Sequence, residues 1–173
     1  MTTTMRRTSL IAIVAVLIAL VAVADRAANA GHANPVLAAE LDGRSEVADR
    51  NDSRIVGDPD GRGEIYVFGV DGDPDRNTLC YVLLVDKISE LGAAPGNPYM
   101  AHIHEGQPGE NGPVVVTLAW PQNGQSADCI SVGDARITGT TPAEIFANPG
   151  DYYINVHNAE YPGGAVRGQL GSR

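Results

Sequence analysis

Three histidines in two short extended segments are the residues of this chain whose type and spacing could do chemistry. His102 and His104 are separated only by Ile103, and His157 ends a second run that begins at Tyr152. Alternate side chains of a β-strand share a face, so His102 and His104 are expected to point the same way. Neutral imidazole is a good ligand for copper and zinc, so convergence of the three rings would create a metal site. The alternative is that they hold loops through hydrogen bonds and bind no metal.

A second segment, residues 71–77, carries oxygen side chains at alternate positions. These side chains are Asp71, Asp73, Asp75 and Asn77. The order is that of a calcium loop, but Arg76 replaces the expected glycine and Val82 the expected glutamate. We therefore interpret the segment as a solvated hairpin tip. The sequence has no G-x-S-x-G, Walker or dinucleotide-binding pattern, so we assign no catalytic residue and favour a non-enzymatic protein.

The first 30 residues have the organisation of a signal peptide. Two arginines precede an unbroken apolar run over residues 10–24, and residues 28–30 fit an A-x-A cleavage site. The run is short for a membrane span, which needs about 20 residues. We expect export, cleavage after Ala30 or Ala24, no membrane span in the mature protein and a flexible terminus over residues 31–35. Retention of the apolar run as an anchor is the alternative.

The charge of the chain argues against one class of partner. The formal net charge is −9, and cleavage after Ala30 removes three arginines and one aspartate, which leaves about −11. Such a surface repels phosphate backbones, so we expect no nucleic-acid partner.

Five further residues are expected to be structural. Cys80 and Cys129 most simply form a disulfide in an exported chain, whereas a catalytic or metal-binding cysteine is the alternative. Arg167 stands in a strand among small residues, where buried pairing with a carboxylate or carbonyl groups is favoured over substrate binding. Asn111 and Gly112 belong to the Gly- and Pro-rich turn that follows the histidine pair.

Many short strands separated by Gly, Pro and Asn predict an all-β fold. The strands are expected over residues 36–41, 64–70, 78–85, 102–104, 113–120, 129–132, 152–158 and 165–170. Residues 122–128 are expected to be a polar loop. A capping box that begins at Thr141 predicts one short helix near residues 141–147. We therefore predict one domain over residues 36–170, an antiparallel, Greek-key-like β-sandwich of superoxide-dismutase or immunoglobulin-like architecture.

Five ordered motifs resemble those of one known family, the CHRD domain, which is named for chordin and is also found in bacterial secreted proteins. The motifs are Thr78-Leu79-Cys80-Tyr81, Ala101-His102-Ile103-His104-Glu105-Gly106, Asn111-Gly112-Pro113-Val114-Val115, Asn155-Val156-His157-Asn158 and Pro162-Gly163-Gly164-Ala165-Val166-Arg167-Gly168-Gln169-Leu170. The resemblance implies an extracellular or envelope all-β module of the bacterial, single-domain type. In chordin such domains belong to a protein that binds growth factors. The implied partner is therefore an extracellular protein or surface ligand.

A fainter similarity is to copper/zinc superoxide dismutase, whose H-x-H copper pair corresponds to His102 and His104. The dismutase needs further histidines, and this chain offers only His157 and His32 besides the pair. The sequence thus leaves two functions open. The first is a non-enzymatic binding or structural module, and the second is a protein that holds one copper or zinc ion with His102, His104 and His157 for metal handling or redox chemistry.

Overall fold

The computed structural model describes residues 34–48, 54–88 and 101–172, and the expected signal peptide, His32 and most of residues 31–35 lie outside this part of the chain. The described residues form nine strands, one short α-helix and three short 3₁₀ helices. The strands are β1 (Val36–Asp42), β2 (Arg62–Gly69), β3 (Thr78–Asp86), β4 (Ala101–Glu105), β5 (Val114–Thr117), β6 (Gln125–Ser131), β7 (Tyr152–Val156), β8 (Val166–Gln169) and β9 (Gly171–Ser172). No helix among these residues is long and apolar enough to cross a membrane.

The strands form one antiparallel sheet in the order β5-β4-β7-β8-β1-β2-β3-β6, with β9 beside β1. The predicted hairpin of β2 and β3 is present, and β3 lies between β2 and β6. The sheet curls, and the segment just after β5 thereby reaches β3 near the other end of the strand order: the backbone nitrogen of Ala119 donates a 2.6 Å hydrogen bond to the Tyr81 hydroxyl. The prediction of an antiparallel, sandwich-like β-fold is confirmed.

The apolar core fills the inside of the curl. Leu37, Ile65 and Leu83 come from one half of the sheet, and Ile103 and Ile154 come from the other. All five side chains are at most 2% exposed. Full burial of such side chains is the largest favourable term in folding, about 1.5–3 kcal/mol for each. The core therefore fixes which face of each strand points outward.

The predicted short helix, α1, spans Pro142–Ala147. The Thr141 hydroxyl accepts a hydrogen bond from the Glu144 backbone nitrogen at 3.2 Å and donates one to the Glu144 carboxylate at 3.0 Å. These bonds satisfy a donor that the first helical turn leaves free. The helix ends at Asn148 after burying Ile145 against the core.

Strand β6 corrects one sequence prediction. Residues 122–128 were expected to form a loop, but β6 begins at Gln125 and pairs with β3 over seven residues. Most of its side chains are exposed, because β6 is the last strand on the ordered path of the sheet. Its polar sequence therefore reflects its exposure. Cys80 and Cys129 lie directly opposite each other in this ladder and form the predicted disulfide.

The oxygen side chains of the hairpin tip over residues 71–77 have structural partners. Asp73 accepts a 2.8 Å hydrogen bond from the backbone nitrogen of Thr78 and a 3.4 Å bond from the amide of Asn77. Asp71 accepts a 2.8 Å bond from the amide of Asn34, which joins the tip to the segment before β1. These bonds give a structural role to three of the four polar side chains.

Candidate metal centre

The outer faces of three neighbouring strands carry the polar residues of the candidate site. His102 of β4 stands opposite Asn155 of β7, which in turn stands opposite Arg167 of β8. Ile103 and Ile154, one residue along, point to the core. Directly opposed residues share a face, so the polar row lies on the side of the sheet away from the core. This row is nevertheless buried, because the loops that follow β4 and β7 fold over it.

The structure brings the three predicted histidines together on this face. The ring centroids of His102 and His104 are 5.6 Å apart, and those of His102 and His157 are 5.1 Å apart. One ligand nitrogen of each ring lies within 4.8 Å of those of the other two. The three residues are only 4%, 9% and 6% exposed in chain order. Among the described residues this is the one group of three or more His, Cys, Asp or Glu residues close enough to share an ion.

Backbone carbonyls decide which nitrogen of two of these rings is free. Nδ1 of His104 donates to the carbonyl oxygen of Gly112 at 2.9 Å, and Nδ1 of His157 donates to that of Pro162 at 3.1 Å. A carbonyl can only accept, so both rings carry their proton on Nδ1 when neutral. Their Nε2 atoms are then lone-pair acceptors, and both are buried without a hydrogen-bond partner. Nδ1 of His102 is likewise buried without a partner.

The electrostatic environment keeps all three imidazoles neutral. Burial lowers the pKa of His102 to about 3, with further lowering from the neighbouring His157 and His104. Burial also lowers the pKa of His104 and of His157, although their hydrogen bonds to carbonyls oppose the shift. Desolvation disfavours the charged form of a base. Metal ligation requires the neutral form, so the rings need not lose a proton at neutral pH before they bind.

A stack of three side chains supports His104 from one side. The Tyr153 ring lies 4.7 Å from the His104 ring and is nearly parallel to it, and the guanidinium carbon of Arg167 lies 3.4 Å above the Tyr153 centroid. Arg167 is 2% exposed and donates to the side chain of Asn111 at 3.2 Å and to backbone carbonyls of the 105–113 loop. Burial lowers its pKa. The expected pairing of Arg167 with carbonyl groups is observed.

The turn residues Asn111 and Gly112 hold this loop against the site. The Asn111 amide donates to the carbonyl of Val47 at 3.3 Å while its oxygen receives Arg167. The backbone nitrogen of Gly112 donates to the Tyr153 hydroxyl at 3.1 Å. A Cβ atom on Gly112 would lie 1.7 Å from the carbonyl oxygen of Glu105, so only glycine fits there.

The sequence prediction did not include Glu46, Asn155 or Tyr153. Asn155 is 4% exposed and donates from its amide to a carboxylate oxygen of Glu46 at 3.4 Å. Burial raises the pKa of Glu46 to about 8, despite Arg167 nearby. Asn155 and Tyr153 share a face with His157 because they precede it by two and four residues. Glu46 has no such signal, since it is 109 positions from Asn155 in the chain.

The donor set fits copper or zinc. Both ions are bound by imidazole nitrogen, and catalytic or open zinc sites use three protein ligands with a fourth position left for an exogenous group. Nitrogens that share a tetrahedral ion at about 2.0–2.1 Å lie roughly 3.4 Å apart. Because the ligand nitrogens lie within 4.8 Å of one another, small side-chain shifts would bring them to that spacing.

Comparison with known proteins gives one match. The family model of the CHRD domain matches residues 37–170, which is most of the chain. No curated protein and no solved structure matches the chain.

Proposed function

The chain belongs to the CHRD family, and we propose that it is an exported, non-enzymatic binding module that holds one copper or zinc ion with His102, His104 and His157. The family consists of extracellular-type modules, which sets the general class of function. The histidine cluster supplies the specific ligand. This reading places metal binding within a binding module and requires no catalytic residue.

The observation that carries the proposal is the set of three buried, unpartnered ring nitrogens, one on each histidine. A buried acceptor without a partner costs roughly 1–3 kcal/mol, so proteins seldom keep several in one place. Histidines that served only to hold loops would need the Nδ1 bonds of His104 and His157 but would have no reason to gather three free nitrogens. A shared cation satisfies all three at once.

Two further features support export. Residues 1–30 carry the pattern of a signal peptide, and a disulfide joins Cys80 to Cys129. Disulfides persist in oxidising compartments and are rare in the cytosol. The net negative charge of the chain supports the other part of the proposal, because it attracts cations.

The test is the metal content of the purified protein. The full chain, expressed with residues 1–30 and exported to an oxidising compartment, is exposed to copper or zinc, dialysed and analysed for metal. We expect one equivalent per chain, lost in His102→Ala. His32→Ala is the matched control, because His32 is the one histidine of the sequence that the proposal does not use as a ligand.

Circular dichroism of each variant separates loss of the ion from loss of the fold. A folded wild-type protein without retained metal, or a His102→Ala protein that keeps its equivalent, would refute the proposal. In that case the module would act through an extracellular protein or surface ligand alone.

A further inference from the structure

A fourth buried polar atom without a partner belongs to a residue beside the histidine cluster. The side-chain oxygen Oδ1 of Asn155 is buried and has no hydrogen-bond partner. Asn155 stands directly opposite His102 in the ladder of β4 and β7 and two residues before His157. Opposed residues in such a ladder have Cβ atoms about 4.5–5.5 Å apart. Asn155 is therefore a neighbour of two of the three candidate ligands, of His102 across the ladder and of His157 along the chain.

The orientation of the Asn155 amide is set from its other side. Its nitrogen donates to Oε2 of Glu46, which leaves Oδ1 as the free end of the side chain. Gly164 leaves room for that carboxylate, because a Cβ atom there would lie 2.5 Å from it. Glu46 thus holds the amide nitrogen and leaves the acceptor oxygen of Asn155 without a partner.

The histidine cluster and Asn155 together have an excess of acceptors. Two of the ring nitrogens are acceptors by their tautomer, and Oδ1 can only accept. An ion would satisfy the nitrogens but not a neighbouring amide oxygen, since copper and zinc sites favour nitrogen and sulfur over a neutral carbonyl-type oxygen. What would satisfy Oδ1 is a group that carries a proton and is itself held by the ion.

We propose that Asn155 is a positioning residue, whose Oδ1 accepts a hydrogen bond from a water molecule in the fourth position of the ion. This inference rests on the proposed metal site. No fourth His, Cys, Asp or Glu joins the cluster within the described residues, so that position is left to an exogenous ligand. The acceptor at Asn155 favours a ligand with a proton to donate over an anion without one.

The test uses azide, an anion without a proton, to compete with the water for the fourth position in the Cu(II)-loaded protein. Titration of the azide-to-copper charge-transfer band gives an azide Kd for each variant. In Asn155→Leu the water loses its acceptor, so azide is expected to bind about fivefold more tightly, the effect of one hydrogen bond. Copper affinity is expected to fall about tenfold, as is usual for partners beyond the ligands.

Gln169→Leu provides the matched control. Gln169 is an amide of the same sheet face, but it donates to the backbone carbonyls of Gly106 and Gly150 and not toward the histidines. Its loss changes no charge, so the azide Kd of this variant should lie within about twofold of the wild type. An unchanged azide Kd in copper-loaded Asn155→Leu, or an equal tightening in Gln169→Leu, would overturn the inference.

Electron–nuclear double resonance of the Cu(II) wild type needs no variant and covers the case in which Asn155→Leu does not fold. Strong exchangeable proton couplings lost in D₂O, larger than those of the more distant imidazole N–H protons, are expected from the bound water, and their absence would overturn the assignment of Asn155. A wild type that holds no copper would instead overturn the metal site and this inference together. The two failures are therefore distinguishable.

Discussion

Nδ1 of His104 donates a 2.9 Å hydrogen bond to the carbonyl oxygen of Gly112, so a loop glycine determines which nitrogen of a buried histidine is free. The same loop carries the carbonyls that hold Arg167, which lies over the ring stacked on His104. The loop over residues 105–113 thus forms an outer layer of the site. Displacement of its backbone should therefore lower metal affinity.

Gly112→Ala is expected to damage both the fold and the site. Its Cβ would lie 1.7 Å from the carbonyl oxygen of Glu105, so the backbone must shift and the bond to His104 must lengthen. We expect a loss of roughly 1–3 kcal/mol in the free energy of unfolding and at least a tenfold loss in copper affinity. Urea unfolding and competition with a chelator measure the two effects.

Gly150→Ala is the matched control for that substitution. No atom lies within 4 Å of a Cβ placed on Gly150, so its stability should change by less than about 0.5 kcal/mol. Equal effects of the two substitutions would contradict the role assigned to the close approach at Gly112.

The metal-free protein is expected to lose stability as the pH falls below about 6.5. The pKa of each clustered histidine is lowered in the native state, to about 3 for His102, whereas the unfolded chain titrates near the ordinary value. The unfolded state therefore binds more protons between these pH values, and the free energy of unfolding falls with pH across that window. Urea unfolding at pH 7.5 and pH 5.5 measures the change.

In His102→Gln the decrease in the free energy of unfolding between pH 7.5 and pH 5.5 should be smaller than in the wild type, because one of the three buried histidines is gone. His32→Ala serves as the control and should keep the wild-type dependence. A fall that is identical in His102→Gln and the wild type would show that the acid sensitivity has another source.

Glu46 is expected to act in the opposite direction. Burial raises its native pKa from 4.5 to about 8, so between these values the native state holds a proton that the unfolded chain has released. The stabilisation that this bound proton contributes is therefore fully present below pH 4.5 and is lost as the pH rises through about 8. Glu46→Gln has no group that titrates at this position. The free energy of unfolding of the variant, relative to that of the wild type, should therefore increase as the pH rises over that range.

Thermal or urea unfolding of the metal-free proteins at several pH values measures the difference. The exposed Glu40 of β1 provides the comparison, and Glu40→Gln should change stability by less than about 0.5 kcal/mol. If the free energies of unfolding of Glu46→Gln and the wild type differed by the same amount at every pH, the raised pKa of Glu46 would be contradicted.

The sequence predicted only part of the cluster. The two-residue spacing of His102 and His104 fixes their common face, but whether His157 joins them depends on the pairing of β4 with β7, which the sequence left open. The free nitrogens could not be predicted, because they depend on carbonyls of loops whose path is set by tertiary packing. Glu46 reaches the site from a distant loop, and no local pattern marks it.

The two side chains stacked against His104, Tyr153 and Arg167, are expected to differ in how much their substitution costs. Tyr153→Phe removes only the hydroxyl that accepts from Gly112, and it should cost about 1 kcal/mol and leave the ring against His104. Arg167→Lys keeps the charge but loses the planar fork that reaches Asn111 and two carbonyls. It should cost roughly 3 kcal/mol, measured by urea unfolding. Equal costs would show that the fork geometry is unimportant.

The disulfide should stabilise the fold without contributing to the site. Cys80 and Cys129 join β3 to β6 and are 49 residues apart in sequence, whereas the histidines lie on and just beyond β4 and β7 at the other end of the strand order. Chain-entropy arguments give about 4 kcal/mol for closing a loop of this length. Replacing both cysteines by serine should therefore lower the free energy of unfolding by about that amount.

The folded double-serine protein should still retain one equivalent of metal, measured by elemental analysis below its unfolding temperature. The wild type treated with a reductant that does not bind copper or zinc is the control, and it should match the variant in both measurements. Loss of metal from the folded variant would show that the two ends of the curled sheet are energetically coupled. The contact between Tyr81 and Ala119 would then be the first place to test, because it joins the disulfide-bonded strand β3 to the segment that follows β5.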